Sequence, residues 1–243
     1  MTYSYTDVSL GEYPGEISLI IYTGRCVSRC PWCFNSELLN KKPLSYKKIK
    51  DAIDEHLEFI TAVVFTGGEP LLNPFLIKAI KYAKSKGLKV KMNSNGLTDE
   101  HNLKNVYIPY IDYLNLSLKG DYNDYKNILK AKKVFPIIPH CDILEYSFVY
   151  SYSIWPQQKL NDFHSFLKEK ISYNDWRALF SRDWSQPDIF TVSQIRVGDC
   201  LNPQYNNCSV PNQKECINVA SIFSDIPRKK LIVETKEYGR KVL

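Results

Sequence analysis

Ala62-Val-Val-Phe-Thr-Gly-Gly-Glu-Pro70 runs from an unbroken apolar stretch straight into a polar turn. The stretch does not alternate between apolar and polar residues, so it reads as a strand buried on both faces, the kind found in parallel sheets covered by helices. The same phrase recurs along the chain. Ile17-Ser-Leu-Ile-Ile-Tyr22 precedes it, and Leu88 to Asn93, Tyr113 to Ser117, Glu145 to Tyr152, Phe190 to Val197 and Lys230 to Glu234 follow. Helical periodicity fills the gaps. Ser45 is a candidate N-cap for a helix reaching about Ile60, with Ile49, Ile53, Leu57 and Ile60 on one stripe. A second helix runs from about Pro74 to Lys86 and ends at Gly87, which lacks the Cβ that the C′ position disfavours. Further helices are predicted from Tyr122 to about Val134, from Pro156 to Ile171 with Leu160, Phe163 and Leu167 inward, and from Pro211 to about Ile222.

Strand and helix alternate, so right-handed crossovers should build a mostly parallel sheet. About seven strands fall short of the eight units of a complete ring. The expected fold is therefore α/β, a partial, open TIM-like barrel of repeated βα units. Residues 1 to 15 add a short lead-in strand or extended arm. The 243 residues suit one domain spanning 1–243, with a core of about 16–153 and a segment of about 154–243 completing the sheet. Residues 172–188, rich in aromatic side chains such as Trp176, Phe180 and Trp184, find no place in this pattern. In such folds chemistry gathers at the carboxyl ends of the strands.

Hydrophobic residues make up 44% of the chain, enough for a sizeable core, yet no apolar run spans a membrane and no secretory leader stands at the start. A cytoplasmic protein is expected. The net charge of +6 comes from lysines such as Lys47, Lys48, Lys50, Lys78, Lys81, Lys84 and Lys86, spread over helix faces where solvation explains them. Nucleic acid is not an expected partner. Seven cysteines is an odd number, and reduced cytosolic thiols argue against a disulfide framework.

Three of those cysteines lie within Cys26-Val-Ser-Arg-Cys30-Pro-Trp-Cys33-Phe-Asn35, on the loop that leaves the first buried strand. Their spacing lets one loop aim three thiolates at a single soft metal centre. A structural zinc usually takes four protein ligands, and no fourth Cys or His follows closely. A 4Fe-4S cluster held by three thiolates instead keeps one iron open. Gly67-Gly68-Glu69 ends the second strand, where glycine permits close approach and a carboxylate can accept from an ammonium group. Asn93-Ser94-Asn95-Gly96 ends the third, either a plain turn or a set of donors for a ribose or carboxylate. Cys141, Cys200, Cys208 and Cys216 show no close pair and read as buried or incidental thiols. Gln194 and Arg196 point to the same sheet edge, Arg196 as a candidate contact and Gln194 as a core position. His56, His101 and His164 read as surface or packing residues.

The cysteine loop with Trp32 before its third cysteine, combined with Gly67-Gly68-Glu69-Pro70, resembles the signature of the radical S-adenosylmethionine (SAM) enzymes. The resemblance implies Cys26, Cys30 and Cys33 as cluster ligands and SAM chelated at the open iron. It further implies cofactor contacts from Trp32, Gly67, Gly68, Glu69, Asn93, Ser94, Ser117 and Lys119, with Glu69 and its glycines at the SAM amino group and Lys119 at the carboxylate. Within the superfamily the chain looks like the activases of glycyl-radical enzymes, and in particular the anaerobic ribonucleoside-triphosphate reductase activating proteins. The stretches that carry this are Phe65-Thr-Gly-Gly-Glu-Pro-Leu-Leu-Asn-Pro74, Arg196-Val-Gly-Asp-Cys-Leu-Asn-Pro203 and Thr235-Lys-Glu-Tyr-Gly239. Asn93 stands where those activases commonly have Asp, and Ser117 replaces an acid, which removes two carboxylates from the monovalent-cation site some of them possess.

The implied activity is reductive cleavage of SAM to methionine and a 5′-deoxyadenosyl radical, which takes a hydrogen from a glycine of a partner enzyme. A reductase, flavodoxin or ferredoxin would supply the electron. Two other readings stay open at this stage. One is a radical SAM enzyme acting on a small molecule, a peptide or an RNA base. The other is a zinc-binding interaction module without catalysis.

Overall fold

The structure is a computed structural model that describes residues 6–30, 33, 35–96, 106–119, 143–150, 156–172, 189–194, 213–222, 230–235 and 239–242. One sheet runs through it, with nine strands in chain order: β1 Thr6–Ser9, β2 Ser18–Thr23, β3 Ala62–Gly67, β4 Lys89–Ser94, β5 Tyr113–Ser117, β6 Ile143–Tyr150, β7 Ile189–Gln194, β8 Lys230–Thr235 and β9 Gly239–Val242. Strands β2 to β8 pair in parallel, each with the next. The two edges are antiparallel, β1 on β2 and β9 on β8. The sheet does not close, so the expected open, partial barrel is the architecture found.

Seven parallel strands match the seven apolar runs of the sequence, and the two edge strands are additions. The lead-in segment resolves into β1. Gly239-Arg-Lys-Val242 gives no apolar signal, because an edge strand exposes much of itself and positive charge along it discourages pairing with other chains.

Four helices belong to the described part: α1 Tyr46–His56, α2 Leu76–Ser85, α3 Gln157–Ser172 and α4 Gln213–Ile222. Ser45 caps α1 as expected, its hydroxyl accepting from the Lys48 N–H at 3.4 Å. Helix α2 begins later than the predicted Pro74. Asn73 takes the Phe75 N–H on its Oδ1 at 2.9 Å and sends its Nδ2 to the Leu44 carbonyl at 3.2 Å, which holds a turn ahead of the helix. Gly87 ends it with φ +77, as read from the sequence. The predicted helix from Tyr122 to Val134 and the aromatic stretch 173–188 lie outside the described residues.

Register sorts the two sheet faces. Leu19, Ile21, Val63, Phe65, Val90, Met92, Leu114 and Leu116 project to the helix side and join Ile49, Ile53, Leu76 and Ile80 in one core. The opposite face is more polar. There Ala62, Val64 and Tyr113 pack with Tyr13, whose ring meets Tyr113 edge-on at 5.4 Å. Beside them Lys91 is buried, with Nζ 2.7 Å from the Glu12 carbonyl, 3.8 Å from Glu145 Oε2 and 4.2 Å from the centre of the Tyr113 ring. Tyr113 also donates its hydroxyl to Glu145. This group fills the strand-start end of the concave face and leaves the carboxyl ends to the site.

Candidate functional site

The cysteine loop is held by backbone on two sides. Arg25 N–H donates to the Leu38 carbonyl at 2.9 Å and Cys26 N–H to the Leu39 carbonyl at 3.4 Å. From the other side the turn after β3 reaches in, Gly68 N–H donating to Thr23 at 3.0 Å and Glu69 N–H to the Arg25 carbonyl at 2.7 Å. Serving both neighbours requires an unusual backbone at Arg25, which adopts φ +66. Arg29 closes the loop on itself, donating from Nη1 to the Cys26 carbonyl at 2.6 Å.

The glycines of the turn are read most directly from what a side chain would strike. A Cβ on Gly68 would stand 2.0 Å from the Arg25 carbonyl oxygen, and one on Gly67, at φ +106, would stand 2.9 Å from the Thr23 nitrogen. The close approach that glycine permits here is to the chain's own cysteine loop.

Within this frame Cys26 and Cys33 are partly exposed and Cys30 is buried, none of them in a disulfide. Burial pushes the Cys30 thiol up to about 11; the Lys119 charge opposes the shift, and Cys33 and Cys26 reinforce it. Burial also raises Cys26, with the Glu69 charge adding to it. The three sulfurs, Glu69 and Lys119 therefore lie within electrostatic reach of one another. A soft cation that displaces the protons would offset this crowding of sulfur charge. Among the described residues no three His, Cys, Asp or Glu side chains close on one metal ion. A cubane spreads three thiolates over three irons, so an all-sulfur tripod on one loop fits it.

Glu69 is fully buried, and burial raises its carboxyl although three donors oppose this. Its Oε1 accepts from the Ser94 hydroxyl at 2.7 Å and the Leu71 N–H at 3.2 Å, and its Oε2 accepts from the Asn95 N–H at 2.8 Å. Among the described residues these donors fill three of about four acceptor positions on the carboxylate. Ser94 also accepts from the Gly96 N–H at 2.9 Å, which fixes the turn after β4. Asn93 lies on the face opposite the helices with Nδ2 3.5 Å from Thr66 Oγ1, and its buried Oδ1 has no partner among the described residues. Lys119 Nζ donates to Ser117 Oγ at 2.5 Å.

Sequence reasoning named most of these residues, included Asn95 only as part of the turn after β4 and passed over Ser28. Asn95 Nδ2 stands 3.0 Å from Ser28 Oγ and 3.8 Å from Cys26 Sγ, with both residues buried. The available signal was a polar pair inside an otherwise tight Asn-Gly turn. Trp32, Cys141, Arg196, Cys200, Cys208 and His101 lie outside the described residues, and Cys216 falls within α4. His56 keeps to its own helix, with Nδ1 2.9 Å from the Ala52 carbonyl. No described helix is long and apolar enough to cross a membrane.

The sequence profile described as the Radical SAM superfamily matches residues 20–137, the segment that holds the cysteine loop and the turns after β3 and β4. A protein of Methanocaldococcus jannaschii provisionally named a glycyl-radical enzyme activating enzyme is 23% identical over 231 residues, which is 89% of this chain and 88% of that protein. Among solved structures, SuiB of Streptococcus suis bound to S-adenosylmethionine aligns with a TM-score of 0.55 at 13% identity, covering 90% of this chain and 50% of SuiB. The structure of TYW1 with a lysine-pyruvate adduct aligns with a TM-score of 0.56 at 14% identity, covering 91% of this chain and 77% of that one. At those identities the two structures speak for the fold alone. Taken with the three-cysteine loop and the Gly-Gly-Glu turn bonded to it, the profile match makes this chain a member of the Radical SAM superfamily, whose chemistry uses a 4Fe-4S cluster and S-adenosylmethionine.

Proposed function

We propose that this radical SAM enzyme is an activase that installs a glycyl radical on a partner enzyme, an anaerobic ribonucleotide reductase or a relative of one. The observation that carries the reading is that Cys26, Cys30 and Cys33 share one loop at the carboxyl end of an open sheet, bonded through Arg25 to the Gly68-Glu69 turn and within electrostatic reach of Glu69 and Lys119. Similarity along most of its length to a protein provisionally named as such an activase supports the choice of partner.

In this reading Cys26, Cys30 and Cys33 hold the cluster. When bound, cluster and SAM together supply reductive carbon–sulfur cleavage and a 5′-deoxyadenosyl radical. The chain's own residues orient the substrate end of that chemistry. Glu69 offers its remaining acceptor position, with the Gly67-Gly68 backbone, to the SAM ammonium group. Lys119 meets the carboxylate, moving from Ser117. Asn93 Oδ1, buried and without a partner among the described residues, accepts from a ribose hydroxyl, and Ser94 and Ser117 line the same edge. Trp32, next to the third cysteine in sequence, is counted with the cofactor-binding residues. An open sheet leaves a side through which a partner's loop reaches the site, and a reductase, flavodoxin or ferredoxin delivers the electron.

Anaerobically reconstituted protein is expected to bind iron and sulfide and to cleave SAM under reduction. A triple Cys26/Cys30/Cys33→Ala variant should do neither. Full SAM cleavage by that variant would exclude the mechanism. Incubation with a glycyl-radical enzyme should then produce a glycyl-radical EPR signal on the partner; SAM cleavage without that signal for any such partner would instead place the substrate among small molecules or peptides.

A further inference from the structure

Glu69 and Cys26 are joined through Asn95. The carboxylate anchors the Asn95 backbone N–H at 2.8 Å, and Ser94 pins the turn by donating to Glu69 at 2.7 Å while accepting from Gly96 at 2.9 Å. So held, the Asn95 side chain has one orientation for its amide. One N–H of Nδ2 meets Ser28 Oγ at 3.0 Å and the other faces Cys26 Sγ at 3.8 Å. Asn95 is 6% exposed and Ser28 is 3% exposed, so water does not compete for these donors.

We propose that Asn95 is a positioning residue that sets the reduction potential of the cluster through its side-chain hydrogen bond to the Cys26 sulfur, with Glu69 holding it in place. This rests on the assignment of Cys26 as a cluster ligand. A reduced cluster carries one more negative charge than an oxidised one, and part of it resides on the thiolate sulfurs. A donor aimed at one sulfur favours the reduced state, and hydrogen bonds to sulfur are among the factors that set such potentials. The link also couples two parts of the site. Whatever moves the Gly-Gly-Glu turn moves Asn95, and with it the donor on Cys26.

The test uses full-length, reconstituted protein without SAM and an EPR-monitored redox titration. Asn95→Ala should shift the midpoint to a more negative value at unchanged iron and sulfide content. Asn95→Asp, which sets an acceptor where a donor was, should shift it further in the same direction. Ser28→Ala removes a second donor, because the Ser28 hydroxyl also hydrogen-bonds the Cys26 sulfur, and should move the midpoint in the same direction. Equal midpoints for the parent, Asn95→Ala and Asn95→Asp proteins would overturn the proposal and leave Asn95 a structural residue. Should both Asn95 variants fail to take up iron, the unmutated protein labelled with 15N in its asparagine side chains decides. A 15N coupling to the reduced cluster supports the bond, and its absence overturns it. Parent protein that binds no iron and sulfide at all would sink the cluster assignment itself, a separate outcome.

Discussion

At Gly68 one methyl group separates a seated cysteine loop from a displaced one. A Cβ would lie 2.0 Å from a backbone oxygen of the cysteine loop, and backbone cannot turn aside as a side-chain tip can. Gly68→Ala should therefore fold but displace the loop, with a cost of about 1–3 kcal/mol in urea unfolding and a fall in iron bound per chain. Glu69 makes a different prediction, about pH. Burial raises its carboxyl in the folded protein above the ordinary 4.5, so between that value and the folded one the native state binds more protons than the unfolded state. Stability of the metal-free protein should fall as pH rises through that window. Glu69→Gln should shift the whole curve and remove this slope, which chemical denaturation at a series of pH values would read. Equal slopes in the two proteins would place the ionisation elsewhere.

Asp112, at the entry to β5, shows how an element is seated. Its Oδ2 accepts the Val90 N–H of β4 at 2.7 Å, while Lys84 of α2 reaches both carboxylate oxygens at 2.7 and 2.8 Å. Both side chains are partly exposed, so the ion pair is worth little and the bond to Val90 carries the effect. Asp112→Ala should cost about 1–2 kcal/mol, and Lys84→Ala no more than about 1 kcal/mol; the reverse order in thermal unfolding would put the ion pair first. The elements themselves were largely legible. Continuous apolar runs gave the parallel strands, and Ser45 and Gly87 marked helix ends by local chemistry alone. The start of α2 was not, because Asn73 bonds to Leu44, a partner 29 positions away that periodicity does not register. Strand β9 was missed for a related reason, since an edge strand with Arg240 and Lys241 has only one neighbour to match.

Across the whole molecule the cysteine loop and the Gly-Gly-Glu turn stand out in the sequence, because each is a short run of residue types, and the structure bonds the one to the other. The polar concave face was not. Lys91 and Glu145 look like solvated charges in sequence, yet they are 3% and 1% exposed as side chains and tie β4, β6 and the segment at Glu12 together. Lys91→Met should destabilise the protein by about 3–5 kcal/mol, because it leaves Glu145 charged and buried. The double variant Lys91→Met, Glu145→Leu should recover most of that loss, and calorimetry of the pair against each single change would show whether it does.

The bonds that seat the cysteine loop all close early in the chain. Leu38 and Leu39, Thr23 with Gly68 and Glu69, and Ser94 with Asn95 supply them, so nothing beyond residue 96 is needed for those stitches. Short-range contacts form fastest. The partners that hold the cysteine loop are thus all synthesised before the later strands of the sheet.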